Sequence, residues 1–194
     1  PKGHPEAEVV GVLSSTPEAP ALDFAAQQQI SSATVNRHTF KNRKAWSEAL
    51  IDQCDRWTPH LIVLAGFMKI LPPPFVKHFE GQIINIHPSL LPAFPGKDGP
   101  ADALAHGVRI SGCTVHLVDE GIDTGAILAQ AAVAVMPDDT RDALHARIQQ
   151  QEHRLLPGVI GAIARGDLVL SPVPRWEPSA SFVEDAITSP SIHA

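Results

Sequence analysis

Basic clusters, long apolar runs and cysteine are all scarce in this 194-residue sequence. The net charge is −6 with no basic patch, so nucleic acid has no electrostatic footprint to bind. No apolar run approaches the roughly 20 residues that span a bilayer, and nothing at the start has the pattern of a signal peptide. The two cysteines, Cys54 and Cys113, fall inside a predicted helix and a predicted strand, which makes them buried thiols. No internal repeat is present. These absences leave a cytoplasmic globular protein that needs neither membrane nor nucleic acid. Hydrophobic residues at 44% and charged ones at 19% suit such a protein, and the length suits one domain with a tail.

Short apolar runs alternate with amphipathic stretches along the chain. That alternation predicts an α/β fold with a doubly wound, mostly parallel sheet. Strands are expected at Val9 to Leu13, Leu61 to Leu64, Cys113 to Val118 and Ala126 to Val135, with a short extended piece at Thr34 to His38. Helices are expected at Ala21 to Gln29, Arg43 to Trp57, a short piece up to His78, another at Ala101 to His106, and a long one from Thr140. Trp46, Ala49, Leu50, Cys54 and Trp57 share one helical face. Leu144, Ile148, Leu155, Val159 and Ile163 mark the core side of the long helix, with Asp138 or Asp139 as its cap and a kink at Pro157. Residues 1–171 form the expected catalytic domain, and 172–194 a loosely held, Pro- and Ser-rich tail.

The informative segment is Asn85-Ile86-His87-Pro88-Ser89-Leu90-Leu91-Pro92, which follows the apolar Gln82 to Ile84. Strand residues two apart project to the same face, so Asn85 and His87 stand together where the strand leaves the sheet. Pro88 ends the strand by removing a ladder donor. An amide donor beside an imidazole is a minimal kit for acyl-type transfer. A polar strand cap with a hydrogen-bonded histidine is the plainer account of the same pair. Asp123 has a plain account too, since Ile122-Asp123-Thr124-Gly125 suits a turn whatever the function. His116 alternates with Val115 and Leu117 and is read as a hydrogen-bonded structural histidine near the site. No spacing motif supports a metal, although His87, His116 and Asp123 are conceivable ligands.

Three blocks in this order and spacing resemble the phosphoribosylglycinamide formyltransferases, folate-dependent enzymes of purine synthesis. They are Ala65-Gly66-Phe67-Met68-Lys69-Ile70-Leu71, the Asn85 to Pro92 run, and Val115 to Gly125. The resemblance runs from about Glu8 to about Leu170. It implies a Rossmann-like formyltransferase fold whose first strand and Gly-rich phosphate loop have no counterpart in the sequence. It further implies transfer of a formyl group from 10-formyltetrahydrofolate, as co-substrate, to the amine of 5-phosphoribosylglycinamide, with no metal, by a monomer or homodimer.

By the same resemblance Asn85 and His87 serve the developing oxyanion, while Asp123 orients His87. Arg43, Met68, Lys69, Ile70 and Leu71 line the folate site together with Asn85, Asp119, Glu120, Gly121, Ile122 and Asp123. Gln149, Gln150, Gln151 and Glu152 hold the acceptor. Two departures stand out: Lys69 replaces a frequent Arg, and the loop Pro95 to Pro100 lacks the histidines that usually follow its Pro-Gly. A formyltetrahydrofolate hydrolase and a catalytically silent folate-binding module are the alternatives. The hydrolase pattern places a second histidine directly after the first, where this chain has Pro88. Methionyl-tRNA formyltransferase adds a tRNA-binding domain, which the acidic charge opposes.

Overall fold

In β4 (Ile83–His87) two adjacent side chains explain the layering of the whole fold. Ile83 is 1% exposed and packs with Trp46, Leu50, Phe75 and Phe79 on one side. Ile84 is fully buried and packs with Val115, Val159 and Leu168 on the other. A strand covered on both faces must be apolar at consecutive positions, and each such side chain contributes about 1.5–3 kcal/mol by leaving water. The covering helices are α2 (Arg43–Trp57) and α3 (Pro73–His78) on the first face and α5 (Arg141–Arg165) on the second. The fold is therefore α/β with a sheet wound on both sides. The computed structural model describes residues 6–177.

The main sheet has the order β3-β4-β5-β6, with β3 (Ile62–Leu64), β5 (Ile110–Leu117) and β6 (Ile127–Ala134) beside β4. β3 and β4 run parallel, whereas β5 and β6 join antiparallel. A separate parallel pair, β1 (Val12–Ser14) and β2 (Ser32–Thr34), flanks α1 (Pro20–Gln27). Among the described residues no strand joins β1 to β3. The run Pro1 to Pro5, where the sequence places a linker, lies outside the described residues.

Several boundaries differ from the sequence expectation for identifiable reasons. The first strand begins at Val12, because β2 offers partners only from Ser32, leaving Val9 and Val10 49% and 42% exposed. The extended piece stops at Thr34, since the Asn36 side chain accepts from His38 N and turns Arg37–Thr39 into a 3₁₀ helix. Thr140, not Asp138 or Asp139, caps α5 by accepting from Ala143 N. Asp139 is otherwise engaged with Arg147, at 2.7 Å, and with Met136 N. The short helix α4 spans Gly99–His106, opened by Asp98 and Pro100. Pro157 lies within α5, on an exposed position.

Both thiols are buried, and burial pushes Cys54 up to about 11 and Cys113 up to about 12. The segment after Pro172, expected to be loosely held, is fastened as far as Glu177. Within it β8 (Arg175–Trp176) pairs with β7 (Leu168–Val169), and Trp176 Nε1 donates to Leu128 O at 2.9 Å. A buried indole N–H needs a partner, and β6 supplies it. The rest of the expected tail, 178–194, lies outside the described residues.

Candidate active site

The antiparallel register of β4 and β5 sets Asn85 directly opposite His116 and His87 opposite Thr114. Side chains of such pairs share a face, so an amide, two imidazoles and a hydroxyl meet at the end of β4. His87 and His116 are 4% and 2% exposed. The parallel register also sets Leu64 beside Asn85, so the segment 65–71 leaves the sheet next to the amide. In wound α/β sheets the carboxyl ends of the parallel strands are where ligands bind.

Asp123 arrives from the β5–β6 connection. Its Oδ2 stands 3.5 Å from His87 Nδ1 and its Oδ1 stands 3.6 Å from His116 Nε2. The loop is folded by Asp119, whose Oδ1 accepts from Gly121 N at 3.0 Å and from Thr124 Oγ1 at 2.7 Å. Asp123 has a φ of 54°, the left-handed region that Asp tolerates better than most residues. Gly125 is required at the loop's exit, because a Cβ there would lie 1.8 Å from Leu117 O. These constraints aim one carboxylate at two rings.

The histidines have different partners. His116 Nδ1 faces Leu117 O at 2.8 Å, and Asn85 Nδ2 faces His116 Nε2 at 3.2 Å. A neutral ring protonated at Nδ1 fits both contacts: it donates to Leu117 O and accepts from the amide. Burial lowers the His116 pKa from its ordinary value, which favours that neutral form over the pull of Asp123. His116 thus fixes which way the Asn85 amide points. His87 faces oxygen on both sides, with Nε2 2.9 Å from Phe94 O and Nδ1 toward Asp123.

The other site residues expected from the sequence fall into three groups. Arg43 Nη2 donates to Ile70 O at 3.3 Å and Leu71 O at 3.5 Å, which ties the start of α2 to the 65–71 segment. Met68 and Ile70 are 79% and 62% exposed and Lys69 is exposed, while the Leu71 side chain belongs to the core. Glu120, Gly121 and Ile122 form the exposed crest of the Asp119–Asp123 loop. Ile122 and Asp123 border a cleft of about 250 Å³ with Leu91, Pro92, Pro95, Thr124, Gly125 and Ile127.

On α5, Gln149 and Gln150 are exposed and Gln151 and Glu152 half-buried. Burial raises the Glu152 pKa against the opposing pull of His145, His153 and His87. Among the described residues no group of three or more His, Cys, Asp or Glu is arranged to hold a metal ion.

Sequence reasoning placed His116 near the site as a structural residue and missed its grip on Asn85. It also missed two main-chain groups, Phe94 O on His87 and Gly96 N, which donates to Asp123 Oδ2 at 2.8 Å. No side-chain pattern advertises a backbone contact. The His116 contact follows from strand register, which one strand's sequence does not specify.

Comparison with known proteins places the chain in a family. Residues 1–160 match the formyl transferase family. The chain is 47% identical over 147 residues to a phosphoribosylglycinamide formyltransferase of Mycobacterium tuberculosis, covering 76% of this chain and 68% of that one. It is 40% identical over 168 residues to that of Escherichia coli, covering 87% and 79%. It is 43% identical over 166 residues to the trifunctional purine biosynthetic protein adenosine-3 of Drosophila melanogaster, of whose length it spans 12% against 86% of its own. Among solved structures, glycinamide ribonucleotide transformylase 1 of Symbiobacterium toebii superposes with a TM-score of 0.83 at 38% identity, over 87% of this chain and 80% of that one.

Proposed function

Because the chain belongs to the formyl transferase family, we propose that it moves a formyl group from 10-formyltetrahydrofolate to the amine of 5-phosphoribosylglycinamide, in de novo purine biosynthesis in the cytoplasm. The observation that carries this reading is the convergence of Asn85, His87 and Asp123, with Asp123 Oδ2 3.5 Å from His87 Nδ1 at the end of a parallel strand.

Formyl transfer to an amine poses three tasks. Negative charge develops on the formyl oxygen as the amine attacks, the attacking nitrogen must shed a proton, and the leaving nitrogen must gain one. Asn85 answers the first: His116 Nε2 takes one of its N–H groups, which leaves the second free to donate to the oxyanion. Nε2 of His87 is taken by Phe94 O, so Nδ1, on the Asp123 side, is the ring nitrogen that adds a second donor and a proton source, in a site where burial strengthens every charge. Asp123 holds the His87 ring in place and offers a carboxylate through which the amine's proton can leave.

Folate recognition belongs to the 65–71 segment and the 119–123 loop. The exposed Met68 and Ile70 give a flat heterocycle an apolar wall, and the main chain around Lys69 gives its polar edge donors and acceptors. Arg43 braces that main chain. Glu152 faces the acceptor with Gln149, three residues before it on the same side of α5, a carboxylate and an amide that suit the acceptor's hydroxyls and amine. Gln150 and Gln151 project to other sides of the helix. Residues 1–171 constitute the catalytic domain in this reading. The substrates are both small molecules.

The test is direct. Purified protein is given 10-formyltetrahydrofolate with and without phosphoribosylglycinamide, and folate release is followed. Release that requires the acceptor supports the transferase. Release without acceptor supports a hydrolase, and folate binding with no release supports a silent binding module. His87→Ala is expected to lower the rate by about 10²- to 10⁴-fold, the usual worth of a positioned proton-transfer group, while folate Kd stays within a few fold.

A further inference from the structure

His87, Thr114 and Gln130 form one row across three strands, because His87 is registered to Thr114 on β5 and Thr114 to Gln130 on β6. Thr114 and Gln130 both touch the same loop. Gln130 Nε2 donates to Leu91 O at 2.9 Å and to Thr114 Oγ1 at 3.0 Å. Thr114 Oγ1 donates to Ser89 O at 2.7 Å and accepts from Leu91 N at 3.0 Å. Thr114 is fully buried, so its hydroxyl has no water to replace these partners.

Three residues beyond Leu91 the same loop reaches the catalytic pair. Phe94 O meets His87 Nε2 at 2.9 Å, and Gly96 N donates to Asp123 Oδ2 at 2.8 Å. Between the two ends, Ser89 Oγ donates to Ala93 O at 2.6 Å and Ala93 N to Leu90 O at 3.0 Å. The loop is thus clamped at Ser89 and Leu91 and presents main-chain groups to His87 and Asp123.

The geometry points to Gln130, acting with Thr114, as a positioning residue for formyl transfer: the pair locks the Ser89–Leu91 turn so that Phe94 O and Gly96 N hold His87 and Asp123 in register. Neither side chain needs to reach the substrate. The inference rests on the formyltransferase reading, but the position of the loop is measurable without turnover. A small misplacement of a catalytic group costs rate out of proportion to the stability lost.

The experiment compares the wild-type chain with Gln130→Met, Thr114→Val and Thr114→Ser. The first two keep volume and remove the polar contacts, while the third keeps the hydroxyl. Two readouts are taken: pH-rate profiles with folate KM, and NMR of the Gly96 amide exchange and the His87 ring nitrogens. For Gln130→Met and Thr114→Val we expect kcat to fall about tenfold with KM within twofold, since orientation and not binding is lost. The ionisation limbs of kcat should move, Gly96 should exchange about tenfold faster as its bond to Asp123 opens, and the His87 Nε2 signal should shift. Thr114→Ser should stay near wild type on every measure.

Unchanged Gly96 exchange and His87 signals in both deficient variants would overturn the inference, as would a loss confined to KM. If one variant fails to fold, the other carries the same test. A wild-type chain that shows no transfer sinks the activity reading alone, because the NMR arm still decides whether the clamp governs His87.

Discussion

Asp123 Oδ2 lies 3.5 Å from His87 Nδ1 although the two residues come from different strand ends. The contact exists because the β5–β6 connection, which starts beside Ile83 where Val118 N donates to Ile83 O, folds back toward the Pro88 end of β4 and sets Asp123 beside His87.

Asp123→Asn is expected to separate orientation from charge. Asn also tolerates the left-handed φ of 54° that this position adopts, so the loop should keep its shape. The amide can still touch His87 but neither stabilises an imidazolium nor accepts a proton. A fall in kcat of about 10²-fold or more is expected, within the range for proton-transfer groups, with folate KM changed only a few fold. Single-turnover rates check it; a kcat within threefold of wild type would remove Asp123 from the chemistry.

Asn85→Ala removes the donor aimed at the formyl oxygen. A preorganised oxyanion donor contributes roughly 3–4 kcal/mol, so kcat is expected to drop by about 10²- to 10³-fold. The substitution also leaves His116 Nε2 without its amide, so His116→Asn serves as a control. If the loss in the His116 variant equals that of Asn85→Ala, the amide's orientation and not its second N–H is the limiting feature.

Acid should destabilise the fold through His116. Burial lowers its folded-state pKa below the ordinary 6.5, so between the two values the unfolded chain binds more protons than the native one. By linkage, stability then rises with pH: the contribution is present above about 6.5 and is lost as pH falls toward the folded-state value. Urea midpoints measured from pH 8 downward should show this slope, and His116→Asn should flatten it. Because Asp123 and His87 adjoin His116, the comparison is made in the His116 variant and not by altering either neighbour. A slope that survives the substitution would assign the acid sensitivity elsewhere.

Trp176→Phe tests the fastening of the segment after Pro172. The indole N–H is bonded to Leu128 O and its ring packs against the Ile84 cluster. Loss of the hydrogen bond with most of the ring retained should cost about 0.5–1.5 kcal/mol. Chemical denaturation measures it, and kcat per folded molecule should not change. No measurable loss would mean that this segment adds little to the fold.

Much of the architecture was legible because its signals are local. The helix Arg43–Trp57 came out at its observed bounds because five apolar side chains recur on one face; the Asn42 side chain that caps it, accepting from Ala45 N, is added by the structure. The strand end at His87 followed from Pro88, whose missing N–H cannot continue a ladder. The cap of α5 was misassigned between neighbours that all favour caps, and only the distant Arg147 shows why Asp139 is unavailable.

The amino-acid sequence by itself determined which chemistry-bearing residues this protein has, and that Asn85 and His87 share a face, because a strand's period of two is a property of the backbone. Tertiary structure alone decided what they face. The β4–β5 register put His116 on the Asn85 amide, loop closure brought Asp123 to both rings, and the Thr114–Gln130 row pinned the turn that touches His87. Register and loop closure are set by the packing of the whole sheet against its helices, a sum over many distant contacts that no short stretch of chain encodes.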